Sequence, residues 1–159
     1  MPIVLYRIDE RLIHGQVVMG WGSQLRPGRY VVVDDALAAS EWEQELYLLG
    51  VPEDTETIFA SVTQALGMLE GWQTDPARTV LLTRDVATMI RLAESGKMGD
   101  ASVNVGGVHH EPGRDQVLRY VYLDEALREE LRTLESLVGE VTARDLPGAS
   151  AVSLDSLLR

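Results

Sequence analysis

"IVLYRIDERLIHGQVVMGW", residues 3–21, decides how this chain is built. Residues 2–8 are an almost unbroken apolar run and read as a strand covered on both faces. From His14 to Leu25 the apolar period changes, and Val17, Val18, Trp21 and Leu25 fall on one helical face. Between the two patterns lies a short charged turn that holds Asp9, Arg11 and His14. Strand, charged turn and helix together make the first half of a βαβ unit.

The same alternation runs through the rest of the chain. Strands are expected at 29–34, 56–60, 78–83, 101–105, 118–123 and 140–145. Helices are expected between them: over 39–49 with Trp42, Leu46 and Leu49 at helical spacing; after Ser61; from Val86 to Gly96; and from Asp124 to Val138. Asp35 is a candidate cap for the second helix, and Asp34 for orienting a group at the strand end. A short helix is expected in "AVSLDSLL" (151–158). The pattern predicts an α/β fold: one domain over 1–159, with an open, mainly parallel twisted sheet of six or seven strands and helices on both faces. Ligands of such sheets bind at the carboxyl ends of strands, near a switch point in strand order. The turn at 9–14, Asp34 and Asp35, Thr83 and Arg84, and Gly106 and Gly107 all stand at such ends.

Composition removes several classes of function. The chain has 159 residues, a net charge of −11 and no cysteine. Disulfides and thiolate chemistry are excluded, and nucleic acid is not an expected partner of so acidic a chain. No apolar run reaches the roughly 18 residues of a membrane span, and the first residues do not have the form of a signal peptide, so a cytoplasmic location without membrane insertion is expected. Lys97 is the only lysine. The basic residues are otherwise arginine, whose planar fork suits phosphate and carboxylate. Neither a GxxxxGK[ST] loop nor a GxGxxG fingerprint occurs.

His14 then has three readings: a plain polar residue, a metal ligand, or a group that does chemistry. Asp9 can accept a proton from one ring nitrogen and fix the tautomer. Arg11 offers a fork for an anion, and Gly15 and Gln16 open a helix whose free N–H groups favour one. This set suits phosphoryl transfer. A metal is disfavoured, because the nearest further group is a cationic arginine, and no cofactor is implied. His109 and His110, adjacent on an extended stretch, are expected to point apart and not to form a two-ligand site.

"RIDERLIHGQV" (7–17) resembles the phosphorylation-site motif of the IIB subunits of the mannose/fructose/sorbose family in the phosphoenolpyruvate-dependent sugar phosphotransferase system. The likeness continues through "VVVDDALA" (31–38), "VLLTRDVATMIRLAESG" (80–96) and "VNVGGVHHEPGRDQVLRYVYLDE" (103–125). The resemblance implies that His14 accepts a phosphoryl group on Nδ1 from a IIA protein and passes it to a sugar bound by the membrane subunits IIC and IID. It implies that Arg11 stabilises the phosphoryl group and that Asp9 orients the imidazole. Gly15 and Gln16 would hold oxygens, and Asn104, Gly106 and Gly107 would line the pocket. The paired histidines at 109–110 depart from the family pattern, which leads one to expect an aromatic residue there. A regulatory phosphohistidine module, uncoupled from transport, is the alternative. A phosphohydrolase using His14 as nucleophile is a weaker third.

Overall fold

The computed structural model describes residues 2–159. Nine strands occur in chain order: β1 (Ile3–Ile8), β2 (Arg29–Val33), β3 (Glu56–Ala60), β4 (Thr79–Thr83), β5 (Ser102–Val105), β6 (Asp115–Leu118), β7 (Val121–Leu123), β8 (Glu140–Ala143) and β9 (Val152–Ser153). A π-helical segment, Gln16–Trp21, runs into α1 (Gly22–Leu25). The other helices are α2 (Asp35–Ala38), α3 (Glu41–Leu48), α4 (Val62–Thr74), α5 (Val86–Ala93), α6 (Glu125–Leu137) and α7 (Leu154–Leu157).

Seven strands form one sheet in the order β3-β2-β4-β1-β5-β8-β9, and all neighbours are parallel except the last pair. This is the open, mainly parallel α/β sheet that the alternation predicts. The strand period of two divides each inner strand between two cores. Tyr6, Ile8, Val31, Val33 and Leu81 join the side chains of α4, α5 and α6 on one face. Leu5, Tyr30, Val32, Val80 and Leu82 join Leu12, Ile13, Val17, Trp21 and Leu37 on the other. Arg7 shares a face with Leu5, and so points under the π-helical segment, where its guanidinium lies 5.2 Å from the ring centre of Trp21.

Several helix starts follow the local chemistry of their first residues. Ser61 and Gln64 form a capping box: the Ser61 hydroxyl accepts the Gln64 N–H, and the Gln64 side chain accepts the Ser61 N–H. Asp124 accepts the Leu127 N–H at the start of α6. Gly96, with φ +78°, takes the left-handed conformation just beyond α5.

Four expectations are corrected. Residues 118–123 are not a strand of the main sheet. β5 already has β1 on one side and β8 on the other, so no lateral slot remains. The segment instead folds back as the β6–β7 hairpin and pairs with its own loop, Val108 donating to the Tyr120 carbonyl and Tyr122 to that of Val108. The expected helix at 39–49 forms as α3, with a separate short helix, α2, ahead of it. Asp35 caps neither: Asp34 caps α2, accepting the Leu37 N–H at 3.1 Å, Ser40 stands at the start of α3, and Asp35 accepts the Val62 N–H at 2.8 Å. After the break at Ala39–Ser40, α3 turns Tyr47 toward the core and leaves Trp42 (66%), Leu46 (58%) and Leu49 (84%) exposed. Finally, the terminal segment is not helical throughout. Val152–Ser153 pairs antiparallel with β8, and α7 begins at Leu154.

Candidate functional site

The carboxyl end of β1 lies between β4 and β5, where the strand order switches direction. The turn after β1 is pinned on both sides. Asp9 donates its N–H to the Thr83 carbonyl on the β4 side. On the β5 side Glu10 donates to the Gly107 carbonyl, and Gly106 donates to that of Ile8. Residues distant in the chain thus meet at one edge, as expected from the alternation.

Asp9 is the centre of the turn. It is fully buried, and so is Arg7. Arg7 donates from Nη2 to Asp9 Oδ2 at 3.1 Å. Arg11 donates from Nε to Oδ1 at 3.1 Å and from Nη2 to Oδ2 at 3.0 Å, a bidentate fork, and its backbone N–H adds a bond to Oδ1 at 3.0 Å. Burial alone would raise the Asp9 pKa. The bonds from Arg11, the charge of Arg7 and a bond from the Gly107 N–H outweigh it and hold the carboxylate below its ordinary range. Buried charges need such pairing to be tolerated.

The motif alone assigns Arg7 no role, although a charged residue in an otherwise apolar strand signals a buried ionic site. It spans two structural regions. Besides Asp9 it reaches the side chain of Asn104, the Arg144 carbonyl at 2.9 Å and the Asp145 carbonyl at 3.2 Å. Trp21 donates to the same Asp145 carbonyl at 3.0 Å. Asn104 therefore spends its side-chain oxygen on Arg7. Gly106 and Gly107 sit against the charged cluster. A Cβ at Gly106 would collide with the Arg7 guanidinium and lie 2.6 Å from Asp9 Oδ2; one at Gly107 would press on Arg11 Nε at 3.1 Å. Glycine lets backbone approach these side chains. Gly15 has open space around it.

His14 stands beside this cluster at the head of the π-helical segment, and its carbonyl accepts the Val18 N–H. π-helical turns are uncommon and often mark functional sites. The ring is mostly buried. Its Nδ1 lies 2.9 Å from the Leu12 carbonyl. Its Nε2 is buried, lacks a hydrogen-bond partner among the described residues, and lies 3.8 Å from Asp9 Oδ2. That separation is beyond a hydrogen bond. The group that touches the ring directly is thus the Leu12 carbonyl and not Asp9. Burial lowers the His14 pKa; the Leu12 carbonyl and Asp9 oppose this, while Arg11 and Arg7 add to it, and the net shift is downward. A downward shift favours the neutral ring at pH 7, the form in which an imidazole nitrogen can serve as a nucleophile.

Arg11 keeps about a third of its side chain exposed (32%) and also donates to the Gln16 side chain at 3.0 Å. It is a partly free guanidinium beside a histidine. Asp34 and Arg84, from the ends of β2 and β4, meet at 3.3 Å on the same edge. His109 and His110 diverge, as expected. His109 Nδ1 lies 3.1 Å from Glu10 Oε2, whereas His110 packs edge-on to Tyr122.

A neutral histidine next to a braced carboxylate and a half-open arginine, at the switch point of a parallel sheet, defines a class: α/β proteins that handle anionic groups at a strand-to-helix turn. The family follows from comparison with known proteins. Residues 3–159 match the family model described as "PTS system sorbose subfamily IIB component", and the chain belongs to that family of phosphotransferase components. It is 32% identical over 149 residues to the N-acetylgalactosamine-specific phosphotransferase enzyme IIB component 1 of Escherichia coli strain K12, covering 92% of each chain. It is 29% identical to the fructose-specific EIIB component of Bacillus subtilis strain 168, covering 100% of this chain and 97% of that one. Among solved structures, the IIBSor domain of the sorbose permease from Klebsiella pneumoniae superposes with a TM-score of 0.87 at 26% identity, covering 99% and 96% of the two chains.

Proposed function

We propose that this chain is a single-domain phosphoryl carrier that works in the cytoplasm. His14 takes a phosphoryl group from a IIA protein and delivers it to a sugar held by the membrane subunits IIC and IID. The observation that carries the reading is His14 neutral at the β1 switch point beside Arg11, whose guanidinium is braced by Asp9 and still partly open. One further match, the mannose-specific EIIAB component of Escherichia coli strain K12, is 32% identical over 144 residues, and its name joins an A to a B unit.

The chemistry asked of the chain is modest. Transfer between two histidines is mainly a matter of positioning and charge stabilisation. A phosphoryl group adds roughly −1.5 to −2 charges, by analogy with other phosphoresidues. On a chain at −11 this addition needs local donors. Arg11 supplies a fork, and the backbone around Gly15 and Gln16 supplies N–H groups. Asp9 keeps Arg11 aimed, and Asn104 keeps Arg7 aimed at Asp9. Gly106 and Gly107 let the β5 loop close on this cluster. No metal, nucleotide or cofactor enters the proposal.

The test uses the protein with phosphoenolpyruvate, the general phosphotransfer proteins and a IIA domain. Intact mass should rise by about 80 Da, one phosphoryl group. The label should be lost in acid and absent from His14→Ala. A label that persists in His14→Ala refutes the assignment.

A further inference from the structure

Leu12 is the one strained residue of the site. Its φ is +56°, in the left-handed region that non-glycine residues avoid, and it is fully buried. The turn that imposes this conformation is closed by the Leu12 N–H donating to the Asp9 carbonyl at 2.9 Å. Its effect is to aim the Leu12 carbonyl at His14 Nδ1, 2.9 Å away. A carbonyl oxygen only accepts, so Nδ1 must carry the proton. A neutral ring has a single N–H, which leaves the lone pair on Nε2. That atom is buried without a hydrogen-bond partner among the described residues, and the Asp9 carboxylate lies 3.8 Å from it. Both ring nitrogens are therefore unavailable at rest. One is occupied by a proton held to backbone, and the other is enclosed.

We propose that Leu12 is a positioning residue whose left-handed backbone holds resting His14 in the Nδ1–H tautomer, and that this proton must move to Nε2 before Nδ1 takes a phosphoryl group. The proposal rests on the phosphoryl-carrier reading above. In the step it describes, the proton leaves Nδ1 and another is gained at Nε2 through solvent, with no net change. The freed Nδ1 lone pair then forms the new N–P bond, while the N–P bond on the donor's histidine breaks and its electrons stay with the donor ring. The Nε2 proton stays in place and faces Asp9 Oδ2, so a small shift of the ring lets Asp9 accept it. Asp9 thus orients the reacting ring, and Leu12 orients the resting one.

The position of the proton is measurable in the intact protein. With 15N-labelled histidine, two-bond ring correlation spectra at neutral pH should show His14 with a protonated Nδ1 and a bare Nε2. A His14 with its proton on Nε2 overturns the proposal. After phosphorylation, phosphorus should be on Nδ1 and the proton on Nε2. Phosphorus on Nε2 with the proton still on Nδ1 also overturns it and leaves the carrier reading standing. A resting Nδ1–H with no phosphorylation under any donor refutes the carrier reading instead. Two variants separate backbone geometry from packing. Leu12→Ile keeps an apolar side chain but resists the left-handed region, and should move the resting proton toward Nε2. Leu12→Gly loses the side chain but accepts that conformation, and should keep the proton on Nδ1. The reverse pattern would make Leu12 a packing residue and overturn its role. If either variant fails to fold, the wild-type spectrum still decides.

Discussion

The turn after β1 and the outer face of α3 invert the usual order of a folded chain. Arg7 at the end of β1 and Asp9 in the turn are fully buried; on α3, Trp42 and Leu46 lie mostly in solvent, and Leu49 just beyond the helix is more exposed still. The buried charges are tied to one another and to surrounding side-chain and backbone groups, because an unpaired buried charge is far more costly than an exposed apolar side chain. The comparison teaches where sequence constraint should fall. Single changes in the turn remove partners that nothing else replaces, and single changes on α3 remove contacts with water.

The largest test of this contrast is Arg7→Met. It leaves Asp9 without one of its two cations and Asn104 without its donor, and breaking a buried pair in this way costs about 3–5 kcal/mol. Denaturant unfolding should show the loss. Asp9→Asn should destabilise in the same direction by a smaller amount, with a pH signature. The folded carboxyl is held below its ordinary value of 3.8, so its contribution is complete above that pH and is lost as pH falls through the lower folded value. The gap in stability between wild type and Asp9→Asn should be constant near neutrality and narrow below about pH 4; a gap that widens there would contradict the placement of Asp9. Gly106→Ala should cost about 1–3 kcal/mol by overpacking against Arg7 and Asp9. Its control is Gly15→Ala, at a helical position with open space, which should be neutral or stabilising by up to about 1 kcal/mol. The smallest effect belongs to α3. Trp42→Ser and Leu46→Ser should each stay within about 0.5 kcal/mol of wild type; a large loss at either would mean that this face is covered in the folded protein.

Much of the fold was legible in the sequence because its signals are local. Unbroken apolar runs such as "RYVVV" name strands buried on both faces, and Ser61 and Asp124 announce their helices by the bonds their own side chains make. The misread segments were those whose fate depends on a neighbour. Residues 118–123 have the composition of a strand, but β8 occupies the place beside β5. The apolar spacing of Trp42, Leu46 and Leu49 is that of a buried face, but the break at Ala39–Ser40 turns it outward. At the site, His14, Asp9 and Arg11 stand within one short motif and could be named from it. Arg7 and Leu12 could not be given roles there, since neither a cation's burial partners nor the sign of φ at a leucine is written in composition.

The sequence by itself determined the alternation of strands and helices, the positions of the turns, and a histidine flanked by an aspartate and an arginine at a strand end. These follow from periodicity and capping, which act within a few residues. Only the tertiary structure decided that Arg7 is enclosed between Trp21 and Asp9, that Gly106 must remain bare, and that Leu12 directs its carbonyl onto His14. Those outcomes depend on β5 and the turn after β8 closing on the end of β1, and burial by segments distant in the chain is what turns a charged motif into a braced site.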